Sequence, residues 1–579
     1  MAGLARWDST NQAFSLCTAV FAAMLVSSVL LSPARLQAQE SPPSPQISSQ
    51  EGGWQASVTL EAADPLKATI QQMLQDPTPL PLMVRQRIKA LGDYYNDPTS
   101  RVLWQDEQLA DSFLHRLENA RFDGLGDRTN LFEQLQNIQR VNRFALSRQA
   151  DLRQVAEAEL YWSAGFLKYA QDLKKGRFLP TKMDSKLYWH PKEVDMTAAL
   201  QLLAALGQVD QFFDQWEPQI PTYKALKIAL ADYLVLQSKG GWPTVKAVDL
   251  MKPGETNADV VPSLRSRLAV TDGAKLAASP DADAVFDEDL VKALKRFQVR
   301  HGLDADGVLG KKTLFQLNIP IDARIRQIEL FMERLRWMPE DLGPHYIQVN
   351  IAGFELKNVK NGTLVDLMRV VVGKPYHQTP VFSKRMTYVE LNPYWNVPRS
   401  IAINEELAHL QQAAGARAAK GFEALINDKP VPVTSINWSQ YSKSNFPFRL
   451  RQKPGDGNAL GRVKFMFPNQ FNVYMHDTPA RSLFSQADRA FSHGCIRLAR
   501  PVDLAVEVLS QVPGWTRERI DAVLASKKNT TVSLKEPIDV HIIYSTAWRD
   551  PDGDVQFRAD IYRRDVKLYS ALFGKPYPY

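Results

Sequence analysis

At Gly343-Pro344 the hydrophobic period of this chain changes, and that change divides what its two parts can become. Upstream, from Pro65, apolar residues recur at spacings of three and four, as in LMVRQRIKALGDYYN, RVLWQDEQLADSFLHRLENARF and LFEQLQNIQRVNRFALSRQADLRQVAEAELYWSAGFLKYAQDLKKG. That spacing marks helices that each bury one face. Downstream, HYIQVNI alternates Ile347, Val349 and Ile351 with polar partners, the period of a strand. Neither period satisfies the other geometry. The chain is therefore expected to be multidomain α+β, with its helices first and a mostly β part after them. At 579 residues it exceeds what one core usually holds, so two to four domains are expected.

Punctuation sets the boundaries. Residues 1–38 read as a signal peptide or N-terminal anchor: Arg6, an apolar run over 13–31, then Leu36-Gln37-Ala38 as a cleavage site. Either reading places the body outside the cytoplasm. A Ser-, Pro- and Gln-rich linker covers 39–62, and a helical scaffold 63–255. In the scaffold Tyr161, Trp162, Phe166 and Tyr169 fall at helical spacing and read as core. Residues 260–320 form a three-helix module, 321–343 a connecting amphipathic helix, and 344–512 a mostly β domain. Asn361-Gly362 marks a hairpin in that domain. Within it, 404–453 reads as an inserted cap, a polar Ala-rich helix (EELAHLQQAAGARAAKGFEAL) followed by an irregular piece. The C-terminal segment, 513–579, carries a hairpin at Asp552-Gly553.

Chemistry concentrates in 476–497, HDTPARSLFSQADRAFSHGCIR. Cys495 is one of two cysteines, and the other, Cys17, lies in the N-terminal apolar run. A lone thiol is either a small buried hydrophobe or a nucleophile with a histidine near it in the fold. The context favours the nucleophile, since two of only nine histidines, His476 and His493, lie close by. His493 sits two residues away on an extended segment, whereas His476 ends a strand expected to neighbour the thiol. A zinc site built from His476, His493 and Cys495 has only Asp477 to complete it. The net charge of +7 comes without a dense basic run or stacking motif, so it does not argue for nucleic acid, and no nucleic-acid partner is expected. It suits a carboxylate-rich surface such as a cell wall, and it equally suits a charge that only keeps the protein soluble.

The run Ser492-His493-Gly494-Cys495-Ile496-Arg497, preceded by a histidine and a Thr-containing turn, resembles the signature of the L,D-transpeptidases, cysteine enzymes that cross-link bacterial peptidoglycan. ALGRVKFMFPNQFNVYMHDTP and LNPYWNVPRSI agree with it, and Asp306-Gly-Val-Leu-Gly310 with Thr313 and Leu317-Asn318 resembles a peptidoglycan-binding module. The likeness is to the large periplasmic type. It implies Cys495 as nucleophile, His476 as proton donor and acceptor oriented by the main chain near Asp477, and His493 in support. It also implies an oxyanion loop at Gly494 and Cys495. Arg497, Tyr394, Trp395 and Ser492 become candidates for binding substrate, though Arg497 also reads as a brace for the loop. The implied reaction is a 3→3 cross-link between stem peptides without metal or organic cofactor. With water as acceptor the same site is a carboxypeptidase, and with a protein amine an anchoring enzyme. With an inert thiol the chain is a wall-binding protein. The expected partners are peptidoglycan stem peptides, with glycan contact through 260–320 and membrane contact only through an uncleaved N-terminus. The expected location is the periplasm or the outer face of the inner membrane.

Overall fold

The computed structural model describes residues 64–126, 129–146, 151–189, 192–272 and 284–578. The expected leader, the linker and Cys17 lie outside them.

The scaffold packs around one long helix, Leu152–Lys175, capped by the Asp151 carboxylate and ended at Gly176, whose φ is +83°. Its buried face carries Trp162, Phe166 and Tyr169, which meet Trp104, Phe113 and Phe213 edge-on or tilted, and those rings are core as expected. Tyr161 is half-buried and donates to Gln134. Glu159 shares the buried face and accepts from the Tyr95 hydroxyl and the Leu103 and Trp104 amides. Burial lifts its carboxyl to about 7.

Three helices, Val260–Asp272, Glu288–Arg300 and Lys311–Leu317, form the next module, tied by the short pair β1 (Leu250–Met251) and β2 (Leu309–Gly310). Gln298 closes its loop, donating to Asp306 and Val308 and accepting from the Gly307 amide. Gly307 has φ +77°, and a Cβ there would come 2.9 Å from Val291 and Lys295.

The helix Ile321–Trp337 is a buried strut rather than the amphipathic connector expected from its charges. Arg324, Glu333, Arg334 and Arg336 face inward and find partners there, whereas burial of Glu329 lifts its carboxyl to about 7. Arg336, fully buried, donates to Glu333, the Asp123 carbonyl and the Tyr223 hydroxyl. Glu333 accepts from the Arg177 amide, and Arg334 pairs with Asp565 at 2.5 Å.

The β domain comprises β3 (His345–Asn350), β4 (Glu355–Lys360), β5 (Thr363–Gly373), β6 (Phe382–Leu391), β7 (Trp395–Asn396), β8 (Phe422–Ile426), β9 (Lys429–Pro432), β10 (Arg449–Gln452), β11 (Val463–Met466), β12 (Met475–His476), β13 (Ala490–Ser492), β14 (Ile496–Leu498) and β15 (Thr530–Ile543). Nine strands form one sheet in the order β13-β5-β14-β12-β11-β6-β15-β3-β4, and a further β4–β5 pairing closes it on itself. Asn361 and Gly362, both at positive φ, make the expected hairpin turn between β4 and β5. On β3 the alternation is less open than expected, because Gln348 and Asn350 are buried too, and Asn350 accepts from the Ser545 amide.

Two expected boundaries move. The β domain does not end at 512, because β15 lies inside the sheet between β6 and β3. A strand with neighbours on both sides cannot be a separate C-terminal segment. The expected Asp552-Gly553 hairpin is present beyond it, as β16 (Ala547–Arg549) and β17 (Val555–Phe557). The cap is not only helical. Its helix, Leu407–Ala419, stops before Gly421 (φ +81°), and the FEAL stretch read as helix is strand β8. With β7, β9 and β10 it forms a separate four-stranded sheet, so the cap begins at Trp395 rather than 404.

Removing one partner of the Arg334–Asp565 pair leaves a charge stranded in the core. Asp565 also accepts from the Thr546 hydroxyl. Asp565→Ala is expected to destabilise the protein by about 3–5 kcal/mol, read from the urea midpoint. A change below about 1 kcal/mol would remove the strut from the account.

Candidate active site

Four adjacent strands build the site by alternation. In register, Val389 on β6, Phe465 on β11, Met475 on β12 and Ile496 on β14 stand side by side, and all four are fully buried in the core. The residues between them point to the opposite face: Tyr388, Lys464, Met466, Tyr474, His476, Cys495 and Arg497. All seven line one cleft of about 930 Å³. The β12–β14 pair is parallel and sets His476 opposite Arg497 and Tyr474 beside Cys495. Cys495 and His476 are thus diagonal neighbours on one face, a separation on the order of 7–8 Å between Cα atoms that side chains can close. The cap roofs the cleft, and Tyr394 and Trp395 line it. Both also serve packing, Tyr394 under the Arg451 guanidinium and Trp395 against Phe422.

Each expected residue has a definite environment. His476 Nδ1 donates to the Asp477 carbonyl at 2.5 Å, which leaves Nε2 as its second nitrogen. The Asp477 carboxylate accepts from the Arg462 and Thr478 amides and so holds the 461–462 turn. Arg497 braces no acid. Among the described residues it forms no ion pair, and its buried Nε has no acceptor. Ser492 lines the cleft, but its hydroxyl is engaged within the loop. It donates to the Cys495 carbonyl at 2.5 Å and accepts from the Gly494 amide at 3.1 Å. That bond also commits the Gly494 N–H and removes it from an oxyanion pair. Gly494 itself has φ +113°, where a side chain is strained. His493 bonds to neither His476 nor the thiol. Its Nε2 meets Glu405 of the cap at 2.6 Å, and its ring lies 4.9 Å from that of His377.

The electrostatics favour a neutral pair. Burial, then the Arg497 charge, pushes His476 down to about 3. Burial raises the Cys495 thiol, and hydrogen bonds from Tyr474 with the charges of Lys464 and Arg497 offset part of that rise. The thiol donates to the Asn472 carbonyl at 3.8 Å and stays partly accessible. Among the described residues no cluster of three His, Cys, Asp or Glu side chains is placed to hold a metal ion.

Residues that sequence reading missed support the loop from behind. Thr379 Oγ1 accepts from the Gly373 amide and donates to the Gly494 carbonyl, and the Tyr562 hydroxyl donates to the Gly373 carbonyl. No local pattern marks Thr379 or Tyr562, because only tertiary contact brings them there. Lys464 and Tyr474 were legible, since each alternates with a core residue of its own strand.

Two outcomes are expected. Alkylation of Cys495 by iodoacetamide should keep climbing with pH beyond the ordinary thiol range without a plateau near neutrality, because a raised thiol and a lowered imidazole are both uncharged there; a plateau from about pH 5 upward would mean a resting ion pair. Thr379→Val, which strands two backbone groups behind the loop, should slow that alkylation or any turnover about 10–100-fold while the melting temperature moves by only a few degrees.

Residues 344–532 match the family described as L,D-transpeptidase catalytic domain, 89–230 the family described as Scaffold domain, and 261–317 that described as "Putative peptidoglycan binding domain". A Haemophilus influenzae protein named "Putative L,D-transpeptidase" is 35% identical over 245 residues, covering 42% of this chain and 49% of that protein. The chain thus spans about half the length of this curated relative. Among solved structures, L,D-transpeptidase 3 from Mycobacterium tuberculosis, with a faropenem-derived adduct, shares 14% identity over 34% of this chain and 60% of its own, at a TM-score of 0.17. An L,D-transpeptidase from Xylanimonas cellulosilytica shares 14% over 52% of this chain and 99% of its own, at 0.18. The family matches carry the assignment: this chain joins a scaffold domain and a peptidoglycan-binding-type module to a catalytic domain of the L,D-transpeptidase family.

Proposed function

We propose that this protein forms 3→3 cross-links between peptidoglycan stem peptides through a thioester on Cys495, and that it does so outside the cytoplasm, in the periplasm. One observation carries the reading: a thiol, an imidazole and an unpaired guanidinium share one face of the sheet inside one cleft.

The first step is attack of Cys495 Sγ on the carbonyl carbon of the third residue of a tetrapeptide stem. His476 Nε2 takes the thiol proton as the C–S bond forms, which suits a pair that rests uncharged. The Cys495 N–H is the donor left in the loop for the oxyanion. Collapse breaks the C–N bond, and His476 returns the proton to the departing D-alanine amine. In the second step a side-chain amine of another stem attacks the thioester, its proton passes to His476, and the thiol is regenerated. No electrons change hands and no cofactor enters. Arg497, half-buried beside the sulfur and without an acid among the described residues, is the group to hold a substrate carboxylate. His493, bonded to Glu405, ties the catalytic loop to the cap and so positions rather than reacts.

The test is incubation with a disaccharide-tetrapeptide and mass analysis of protein and products. The expected result is an acyl-enzyme lacking the terminal D-alanine, followed by a cross-linked dimer. Cys495→Ala should abolish both and also abolish a carbapenem adduct, with the melting temperature unchanged. His476→Ala should slow acylation about 10²–10⁴-fold, and Arg497→Gln should raise KM about 10-fold or more. Release of D-alanine without dimer would replace the transpeptidase by a carboxypeptidase, and no acylation at all would reject both.

A further inference from the structure

Across the His377–His493 pair from the catalytic cleft lies a second groove of about 690 Å³. Both histidines line both spaces, so they form the saddle between them. Three distant stretches wall this groove: 181–186 of the scaffold, 375–378 after β5, and 562–567 near the C-terminus. Direct bonds hold the walls together. The Val381 amide donates to the Lys186 carbonyl at 2.8 Å, Lys567 Nζ to the Lys182 carbonyl at 2.6 Å, and Arg564 Nη2 to the Thr379 carbonyl at 3.0 Å. The groove is therefore preformed, and through Thr379 it is fastened to the Gly494 carbonyl.

Its charge is one-sided. Lys182, Lys186, Arg563, Arg564 and Lys567 line it against a single carboxylate, Asp184, which lies 3.3 Å from Arg564 Nε. Arg564 is only 6% exposed, and its Nη1 has no acceptor. Lys186 and Arg563 are exposed, and among the described residues neither side chain has an acidic partner. Preformed walls with unneutralised cations draw and hold carboxylates.

A reaction that joins two peptides at one sulfur needs two approaches to it. The roofed cleft supplies one, and this groove reaches the same loop from the other side. We propose that the basic groove holds the carboxylate-bearing acceptor peptide and delivers its amine over the His377–His493 saddle to the thioester on Cys495. This inference rests on the transpeptidase reading. In the step it serves, the acceptor nitrogen forms a C–N bond as the C–S bond breaks, and the amine proton leaves through His476 as the thiol is restored.

The full-length Lys186→Glu/Arg563→Glu double variant tests it, with the disaccharide-tetrapeptide as probe. Both positions are exposed, so the fold should persist, as circular dichroism would verify. Acyl-enzyme formation should stay within about twofold of wild type while cross-linked dimer falls about tenfold and released tripeptide product rises. Raising salt should lower dimer yield in the wild type more than in the variant. Equal loss of acylation and dimer would assign the groove to the donor and overturn the proposal, as would no change in either. A second measurement does not require turnover: the Cys495→Ala protein should bind two tetrapeptides by titration calorimetry, and one when the two charge reversals are added. If wild type fails to acylate, the transpeptidase reading falls, and unchanged stoichiometry then rejects the groove as a peptide site as well.

Discussion

The parallel pairing of β12 with β14 is the contact on which the site depends. It is a short pairing, two residues against three, yet it sets the register that turns Met475 and Ile496 into the core and His476, Cys495 and Arg497 out of it. A slip of one residue would reverse every side chain and bury the imidazole under the sheet. The register is held by burial, since four apolar residues on four neighbouring strands meet on one side. Each such side chain contributes about 1.5–3 kcal/mol relative to exposure. The stability that fixes the core thereby aims the reactive groups on the other face.

Precision behind the thiol comes from far along the chain. The loop at 492–495 is supported by Ser492 from within and by Thr379 and Tyr562 from behind. Tyr562 stands near the C-terminus and close to Arg564 and Asp565, which reach the strut through Arg334. A helix that links domains in sequence thus also anchors the segment that backs the catalytic loop. This is why Glu333, Arg334 and Arg336 are buried and paired instead of solvated. Buried ion pairs contribute little net stability, but each specifies one arrangement because any other strands a charge.

The site also shows how a thiol and an imidazole can share a cleft without ionising. Desolvation penalises both charges, and the Arg497 guanidinium adds a further penalty on imidazolium. The same cation favours thiolate and would favour a carboxylate or a developing oxyanion. In the reaction proposed for this site, proton transfer would accompany bond formation instead of preceding it. The cap is joined to the loop through His493 and Glu405 and lines the same cleft.

Much of this was legible in the chain itself. Period and punctuation located the helical scaffold, the three-helix module and the hairpin at Asn361-Gly362, and a motif of contiguous residue types singled out Cys495 and His476. These are local properties, set by spacing along a few turns or one strand. What local pattern misjudged was decided by long-range burial. A charged helix became a strut because its partners lie in the scaffold and the C-terminal segment. A stretch placed outside the β domain became an interior strand of its sheet because β6 and β3 flank it. An Ala-rich run ended in a strand because β9 and β10 pair with it. The assignment of His493 to the cap, of Thr379 and Tyr562 to the loop, and of five cations to one groove depended on contacts between residues separated by a hundred positions or more in most cases. Sequence alone determined which groups were available for chemistry. Only the closed sheet determined which of them meet, because pairing register and desolvation are properties of surfaces brought together and not of any segment.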